Sequence, residues 1–448
     1  MVLGLAIFAS WVTGAAEENA LEKKSFVSEW WAGEYATGSW LGIRDTLADH
    51  GLSFVVEWKS NFLWNVDGGL QQRFGYDDEW RFRTNLDVAR LTGWSAIEGL
   101  TLASAVRYRG GDGVNRYVGT SANFGPSAFQ TGRLWRFQVA YATYTTPELF
   151  GIRKLLTLSA GWQNPAEFFL DQNPSKLFVN NSFSTGKGIS ANGIPWGGSY
   201  SAWGGYLRVN PASWFYAQTG LYLAIPFGSD TSDHGLDFAG YRRNPNLNGL
   251  YWLTETGFTP KITEANLPGK YAVGFLYWGV ENRAFRGETT DQRVQLYFQA
   301  DQMLYREPDR SSGPSSGKAV QEATPPPDRR NKQGLYFFSL FNVAPAFQAT
   351  LPFYFHAGLV YQGPLPGRDR DLAGMAMGLG SYSAALQDVE AGNGQSPQTS
   401  EGVLELFYRV QINSWAYFQP DFQYVIQPNG TGQTPNATIL GFQLGAVF

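Results

Sequence analysis

The 448-residue chain has no cysteine. That absence removes disulfides, thiolate metal sites and cysteine nucleophiles, and it leaves His50, His234 and His356 as the only imidazoles. No cofactor, metal site or catalytic constellation is assigned. Basic residues number 34 against 38 acidic ones, a formal net charge of -4, and they form no basic cluster. Nucleic acid, which needs such a patch, is therefore excluded as a partner. Past residue 20 there is no apolar run approaching the roughly 18 residues that a membrane-spanning helix requires. If this chain crosses a membrane, it must do so as a closed barrel, the other structure that satisfies every backbone group in lipid.

What is present favours strands. Charged residues make up only 16% of the chain, aromatics another 16%, and there are 52 glycines, which suits many strands and turns. Residues 80–90, WRFRTNLDVAR, put Trp80, Phe82, Leu86 and Val88 on one parity and Arg81, Arg83, Asn85 and Asp87 on the other. The same alternation marks LSFVVEWKSNF, QRVQLYFQAD, VLELFYRVQI and AYFQPDFQYVI. Strands are predicted near 52–63, 79–91, 100–110, 133–145, 154–163, 199–209, 213–224, 250–259, 270–279, 292–304, 334–342, 352–361, 372–382, 402–412, 415–426 and 438–448. That is about sixteen.

Ahead of them, GSWLGIRDTLADHG predicts a short helix with Ser39 as N-cap and Gly51 as its stop. The first residues, MVLGLAIFASWVTGAA, resemble a secretory signal with a cut near Ala16, although no Lys or Arg precedes the apolar run. The domain reading is a signal over 1–16, a periplasmic segment with a short helix over 17–51, and an up-and-down antiparallel barrel over 52–448.

Alternation alone does not separate a soluble sandwich from a membrane barrel. Three features decide for the barrel. The polar faces carry charges of both signs, as a wet lumen requires. Aromatics gather near strand ends, among them Trp64, Trp80, Tyr108, Trp135, Tyr144, Trp162, Trp214, Tyr251 and Trp415, where membrane–water interfaces accommodate them. The final strand alternates and ends on Phe448, resembling the C-terminal signature that outer-membrane assembly machinery recognises. An arginine facing lipid at mid-depth costs about 2–4 kcal/mol, so Arg81 and Arg83 together would forfeit roughly a domain's stability if turned outward. They must face water inside. Connection lengths agree, with short turns on one side and long loops at about 111–132, 164–198, 225–249 and 383–401 on the other. A Pro/Ser-rich flexible insert over 306–334 breaks that rule.

Several stretches, TGSWLGIRDTLADHGLSF, NVDGG, FVNNSF, GLVYQGPLPGRDRDLAGMAMGLGSYS and FQPDFQYVIQPNG, run in this order from about residue 37 to the end. Together they resemble the carbohydrate-selective porins, the OprB-like family of Gram-negative outer membranes. The resemblance implies a sixteen-stranded barrel that admits small sugars to the periplasm, with outer-membrane lipid around it; the 306–334 insert departs from the compact turn expected there.

A bore of that size needs narrowing to be selective. The stretch 164–198 is long enough to fold inward, where Asp171, Lys176, Asn180 and Asn181 beside Phe178 and Phe183 offer hydrogen bonds and ring contacts. On the wall, Glu57, Lys59, Arg81, Arg83, Asp87, Arg107, Arg109 and Arg136 are predicted to point inward and to stand in for water around sugar hydroxyls. Alternative readings are a pore for anionic solutes, a general diffusion pore, and a soluble all-β sugar-active enzyme using a pair such as Asp77 with Glu79. The string GPSSG over 313–317 fits G-x-S-x-G only formally, because it lies in a linker rather than at a strand-to-helix elbow.

Overall fold

The computed structural model describes residues 26–448 except 122–123, 130–133, 185, 198–199, 225–233, 240–248, 288, 291 and 309–332. The signal segment over 1–16, the GPSSG string and most of the 306–334 insert lie outside the described residues.

Sixteen long strands form one closed antiparallel barrel. They are β1 Leu52–Asp67, β2 Phe74–Asp87, β3 Leu100–Gly111, β4 Leu134–Thr145, β5 Leu156–Gln163, β6 Ala202–Ala212, β7 Phe215–Ala224 and β8 Gly249–Phe258 in the first half. The second half comprises β9 Leu267–Trp278, β10 Arg293–Arg306, β11 Gly334–Val343, β12 Phe353–Gln362, β13 Leu372–Ser381, β14 Ser400–Gln411, β15 Ala416–Ile426 and β16 Ala437–Val447. Each strand pairs with its sequence neighbours, and β1 closes the ring on β16, with Glu57 opposite Val447 and Phe62 opposite Phe442. Closure leaves no edge to expose unpaired amides.

The two faces sort as the alternation demands. Phe82 and Leu296 are 45% and 40% exposed on the outside of the barrel. Leu102, Leu158, Leu221, Leu406 and Leu440 share that outer surface. The inner parity carries buried polar groups, Gln218, Glu255, Gln299, Glu405, Gln419, Gln423 and Gln443 among them. Such a distribution inverts that of a soluble protein, and only a hydrocarbon surrounding makes it favourable.

Three local expectations are corrected. The second strand runs over 74–87 rather than 79–91, because the Asp87 side chain accepts the Arg90 backbone N–H at 3.0 Å and caps a short helix, Val88–Thr92, which Gly93 ends. Ser39 does not cap the N-terminal helix, which spans Ile43–Asp49 behind Gly42. Trp40 and Leu41 take left-handed backbone angles, so the chain reverses there and the Ser39 carbonyl, not its hydroxyl, meets the Arg44 N–H at 3.2 Å. Gly51 does stop the helix; its φ of 89° and the Asp87 carbonyl, 2.6 Å from where a Cβ would stand, both require glycine. Tyr251, counted with the interfacial aromatics, is instead buried on the inner side, whereas Trp162 keeps the outward parity of Leu158 and is covered there by Trp203 and Phe238.

The lumen is not uniformly wet. From β6 round to β14 the inner parity also carries large rings, including Tyr206, Tyr222, Tyr251, Tyr297, Phe338, Tyr354 and Phe407, and they pack against the connection between β5 and β6. That connection occupies one side of the bore and leaves the passage against β1–β4.

Candidate functional site: a narrowed passage

The β5–β6 connection folds inward because its sequence makes tight turns and then finds anchors. Asn164 and Asn180 each accept a backbone N–H two residues on, from Ala166 and Ser182, and open short 3-10 turns at Pro165–Glu167 and Asn181–Phe183. A third turn, Pro174–Leu177, lies between them. A short helix, Lys187–Ala191, follows.

Wall carboxylates and amides then hold this backbone. Glu405 accepts the N–H groups of Val179 and Asn180 at 2.6 and 2.9 Å. Asn180 donates to Gln423 at 2.8 Å, and Asn192 exchanges two bonds with the backbone of Leu351 at 3.0 and 2.8 Å. Both ring nitrogens of His356 meet the loop, at Gln172 Oε1 and the Ser182 carbonyl. Phe169, Leu170, Phe183 and Ile189 bury their side chains against the wall rings.

What remains open is a cavity of about 410 Å³ bounded by the first four strands, β16, the loop, and Ala128 and Phe129 of the β3–β4 connection. That is within the range of small-molecule sites. Its wall is a ladder of basic groups cross-braced by two carboxylates. Glu167, from the loop, accepts Arg81 Nη2 at 2.8 Å, Arg83 Nη1 at 3.0 Å and the Tyr141 hydroxyl at 2.8 Å. Arg83 also donates to the Tyr141 oxygen at 2.9 Å, which closes a ring of bonds. One strand over, Glu79 accepts Arg109 Nε at 2.7 Å and lies 3.5 Å from Arg107 Nε. Lys59 stands opposite Glu79 in the β1–β2 register.

The predicted site residues divide. Lys59, Arg81, Arg83, Arg107, Arg109 and Lys176 all line the cavity. Lys176 pairs with Asp171 at 2.6 Å, and although burial works to raise the Asp171 carboxyl, Lys176, Lys270 and Arg208 hold it below its usual value. Asn180, Asn181 and Phe183 are brought not to the passage but into the packing between loop and wall, where Asn180 is an anchor and Phe183 is fully buried. Phe178 reaches both, lining the cavity and resting against Phe407. Asp87 sits at the strand end as a helix cap, paired to Arg90 at 3.5 Å, because the strand finishes there. Glu57 lies on β1 opposite Arg81 in the register but does not line the cavity, and Arg136 is buried beside Gly235.

Sequence reasoning missed Glu79, Tyr141, Gln138 and Glu167 as lining groups. Glu79 shares the inward parity of Arg81 and Arg83, so alternation could have found it. No local signal marks Glu167, whose role depends on where the loop lands.

Residues 71–448 match the profile of the carbohydrate-selective porin, OprB family. Porin B of Pseudomonas aeruginosa is 25% identical over 441 residues, covering 93% of this chain and 91% of that protein. A putative porin of Acinetobacter baylyi, QuiX, is 22% identical and covers 92% of each chain. The high-pH structure of Pseudomonas putida OprB superposes with a TM-score of 0.77 at 20% identity, covering 93% of this chain and 99% of that one, and so shares the fold. These matches are to channels rather than enzymes, which sets aside the soluble sugar-active alternative. A closed barrel with lipid-facing apolar strands and a family match over most of its length therefore belongs to the carbohydrate-selective porins of the OprB family.

Proposed function

We propose that the protein lets small sugars diffuse passively across the Gram-negative outer membrane into the periplasm, and that the passage between the β2–β3 arginines and the inward loop sets which solutes cross. The observation that carries this is the Arg81–Glu167–Arg83 bridge, in which a loop carboxylate braces two wall guanidiniums at the edge of the cavity. Bracing matters because an oriented guanidinium presents its remaining N–H groups in a fixed fork, suited to hydroxyl oxygens. Neighbouring carboxylate oxygens and Tyr141 supply acceptors. A sugar entering the passage exchanges its water for these donors and acceptors, and each exchange is close to neutral in free energy, so the solute enters without becoming trapped. Export by an N-terminal signal and delivery to assembly machinery through the strand ending at Phe448 belong to the same reading.

The test is liposome swelling across neutral monosaccharides, disaccharides and amino acids, with Arg83→Ala beside the unaltered chain. A preference for monosaccharides beyond what molecular size explains, and a changed rate in Arg83→Ala, is the expected result. Swelling that follows size alone, with Arg83→Ala indistinguishable, would leave a general diffusion pore.

A further inference from the structure

The inward loop carries a basic group that none of the described residues neutralises. Lys187 opens the helix Lys187–Ala191, which is seated against β11 and β12 at Gly188, where a methyl group would meet Tyr354 and Asn342. Among the described residues its ammonium makes no hydrogen bond and no ion pair, and Arg109 is the charged group that acts on it. Ser184, three positions earlier, lines the cavity. Burial first, and the like charge of Arg109 second, push the Lys187 ammonium down to about 7.

The wall across from it has the same excess. Among the described residues Glu79 is shared by Arg107 and Arg109, and Glu167 by Arg81 and Arg83, two guanidiniums to each carboxylate. Lys59, opposite Glu79 in the register, adds a further positive charge and makes no ion pair within 4.0 Å among the described residues. Asp77, a carboxylate on which Arg109 also acts, is turned to Asn61 and Ser127. Lys176 is answered by Asp171, whereas Lys187 is not. Basic groups therefore confront one another from wall and loop across a confined passage, and confinement between low-dielectric walls strengthens the pull on an anion.

We propose that the passage holds a carboxylate subsite between Lys187 of the loop and the Lys59–Arg107–Arg109 face of the wall, so that monosaccharide acids, uronates or aldonates, cross in preference to neutral sugars of the same size. This rests on the sugar-channel reading and names its substrate class. The acid group gains charge-assisted hydrogen bonds that a neutral sugar lacks. Hydroxyls of the same solute meet Tyr141 and the Arg81–Glu167–Arg83 bridge, and Glu79 tempers the positive field enough for release.

The experiment measures uptake of labelled glucuronate and glucose at pH 6, where Lys187 is charged and both compared solutes keep their forms, into liposomes containing the full chain. The glucuronate-to-glucose ratio is expected to exceed one, to fall about fivefold in Lys187→Gln, as the loss of one unit charge at contact distance in water implies, and to be restored in Lys187→Arg. A ratio at or below one in the unaltered protein, or one that Lys187→Gln leaves unmoved, overturns the carboxylate subsite while the sugar channel stands. Absence of both fluxes in a channel that conducts potassium chloride overturns the sugar reading and the subsite with it. If Lys187→Gln does not reach the folded barrel, Lys59→Gln is put to the same measurement, and an unmoved ratio there counts equally against the subsite.

Discussion

At the scale of single residues, the passage works through sharing. A carboxylate between two arginines fixes both guanidiniums without cancelling them, as Glu167 does for Arg81 and Arg83, while Glu79 holds Arg109 and lies 3.5 Å from Arg107. These pairs are largely buried, where the cost of desolvating the charges offsets their attraction, and their value here is orientation. Lys187 is the exception, since among the described residues it has no such partner and its ammonium is held down to about 7 by burial and by Arg109. A lysine lowered in this way is neutral above that value and charged below it. As pH falls from 8 to 6 the loop gains a positive charge, so the anion preference read from reversal potentials in a potassium chloride gradient should rise. Asp171, held below its usual range, stays ionised throughout that window and does not oppose the change. Lys187→Gln should flatten the profile, and a rise that survives in that variant would assign it to another group.

Among the elements, the β5–β6 loop decides the shape of the bore, and it is held by the wall rather than by its own regular structure. Its backbone N–H groups at Leu170, Val179 and Asn180 are accepted by Glu255 and Glu405, two buried carboxylates on strands far apart in the ring. Such hydrogen bonds contribute on the order of 1 kcal/mol each, and a buried donor left without one costs about 1–3 kcal/mol. Glu405→Ala removes two at once and should leave the loop sampling positions away from the β14 wall. Single-channel recordings are expected to show a larger mean conductance with added open-channel noise, while the barrel still inserts. A quiet trace at the original conductance would mean that the aromatic packing around Phe178 and Phe183 holds the loop unaided.

Over the whole molecule, the ring closes where its first and last strands meet, and the N-terminal segment is laid across that seam. The Arg44 guanidinium sits 3.6 Å over the Tyr35 ring and 4.8 Å from that of Phe54, and donates to the carbonyls of Phe54 and Phe448 at 3.3 and 3.0 Å. Ala36 donates to the Val447 carbonyl at 2.8 Å, and the indole of Trp415 donates to Trp30 at 3.4 Å. Arg44 thus ties the segment to β1 and to the residue that follows β16 at once. Cation–π contact and charged hydrogen bonds together suggest about 2–4 kcal/mol for Arg44→Leu. Because a membrane barrel unfolds irreversibly, the loss should be read as a lower temperature for the shift between folded and unfolded bands on a gel, with conductance unchanged. An identical shift temperature would mean that the strand pairing alone secures the seam.

Much of this barrel is written in period two. Five stretches alternate strictly, each of the sixteen predicted strands overlaps an observed one, and the outward parity names Phe82, Leu296 and Leu406 as outward-facing without any knowledge of neighbours. Alternation reports which side of a strand is apolar, and in a closed ring that is equivalent to inside against outside. The sequence by itself therefore determined the barrel, its strand count and the inward direction of Arg81 and Arg83. It misjudged Asp87 and Ser39, where capping and a left-handed reversal compete with the periodic pattern. Where the loop lands was decided only by tertiary structure: Glu167 between two arginines, Asn180 in the packing rather than the passage, and Lys187 within the field of Arg109. The physical reason is that a loop's path is fixed by the anchors it meets across the bore, on strands hundreds of residues away, and no short window of sequence contains both ends of such a contact.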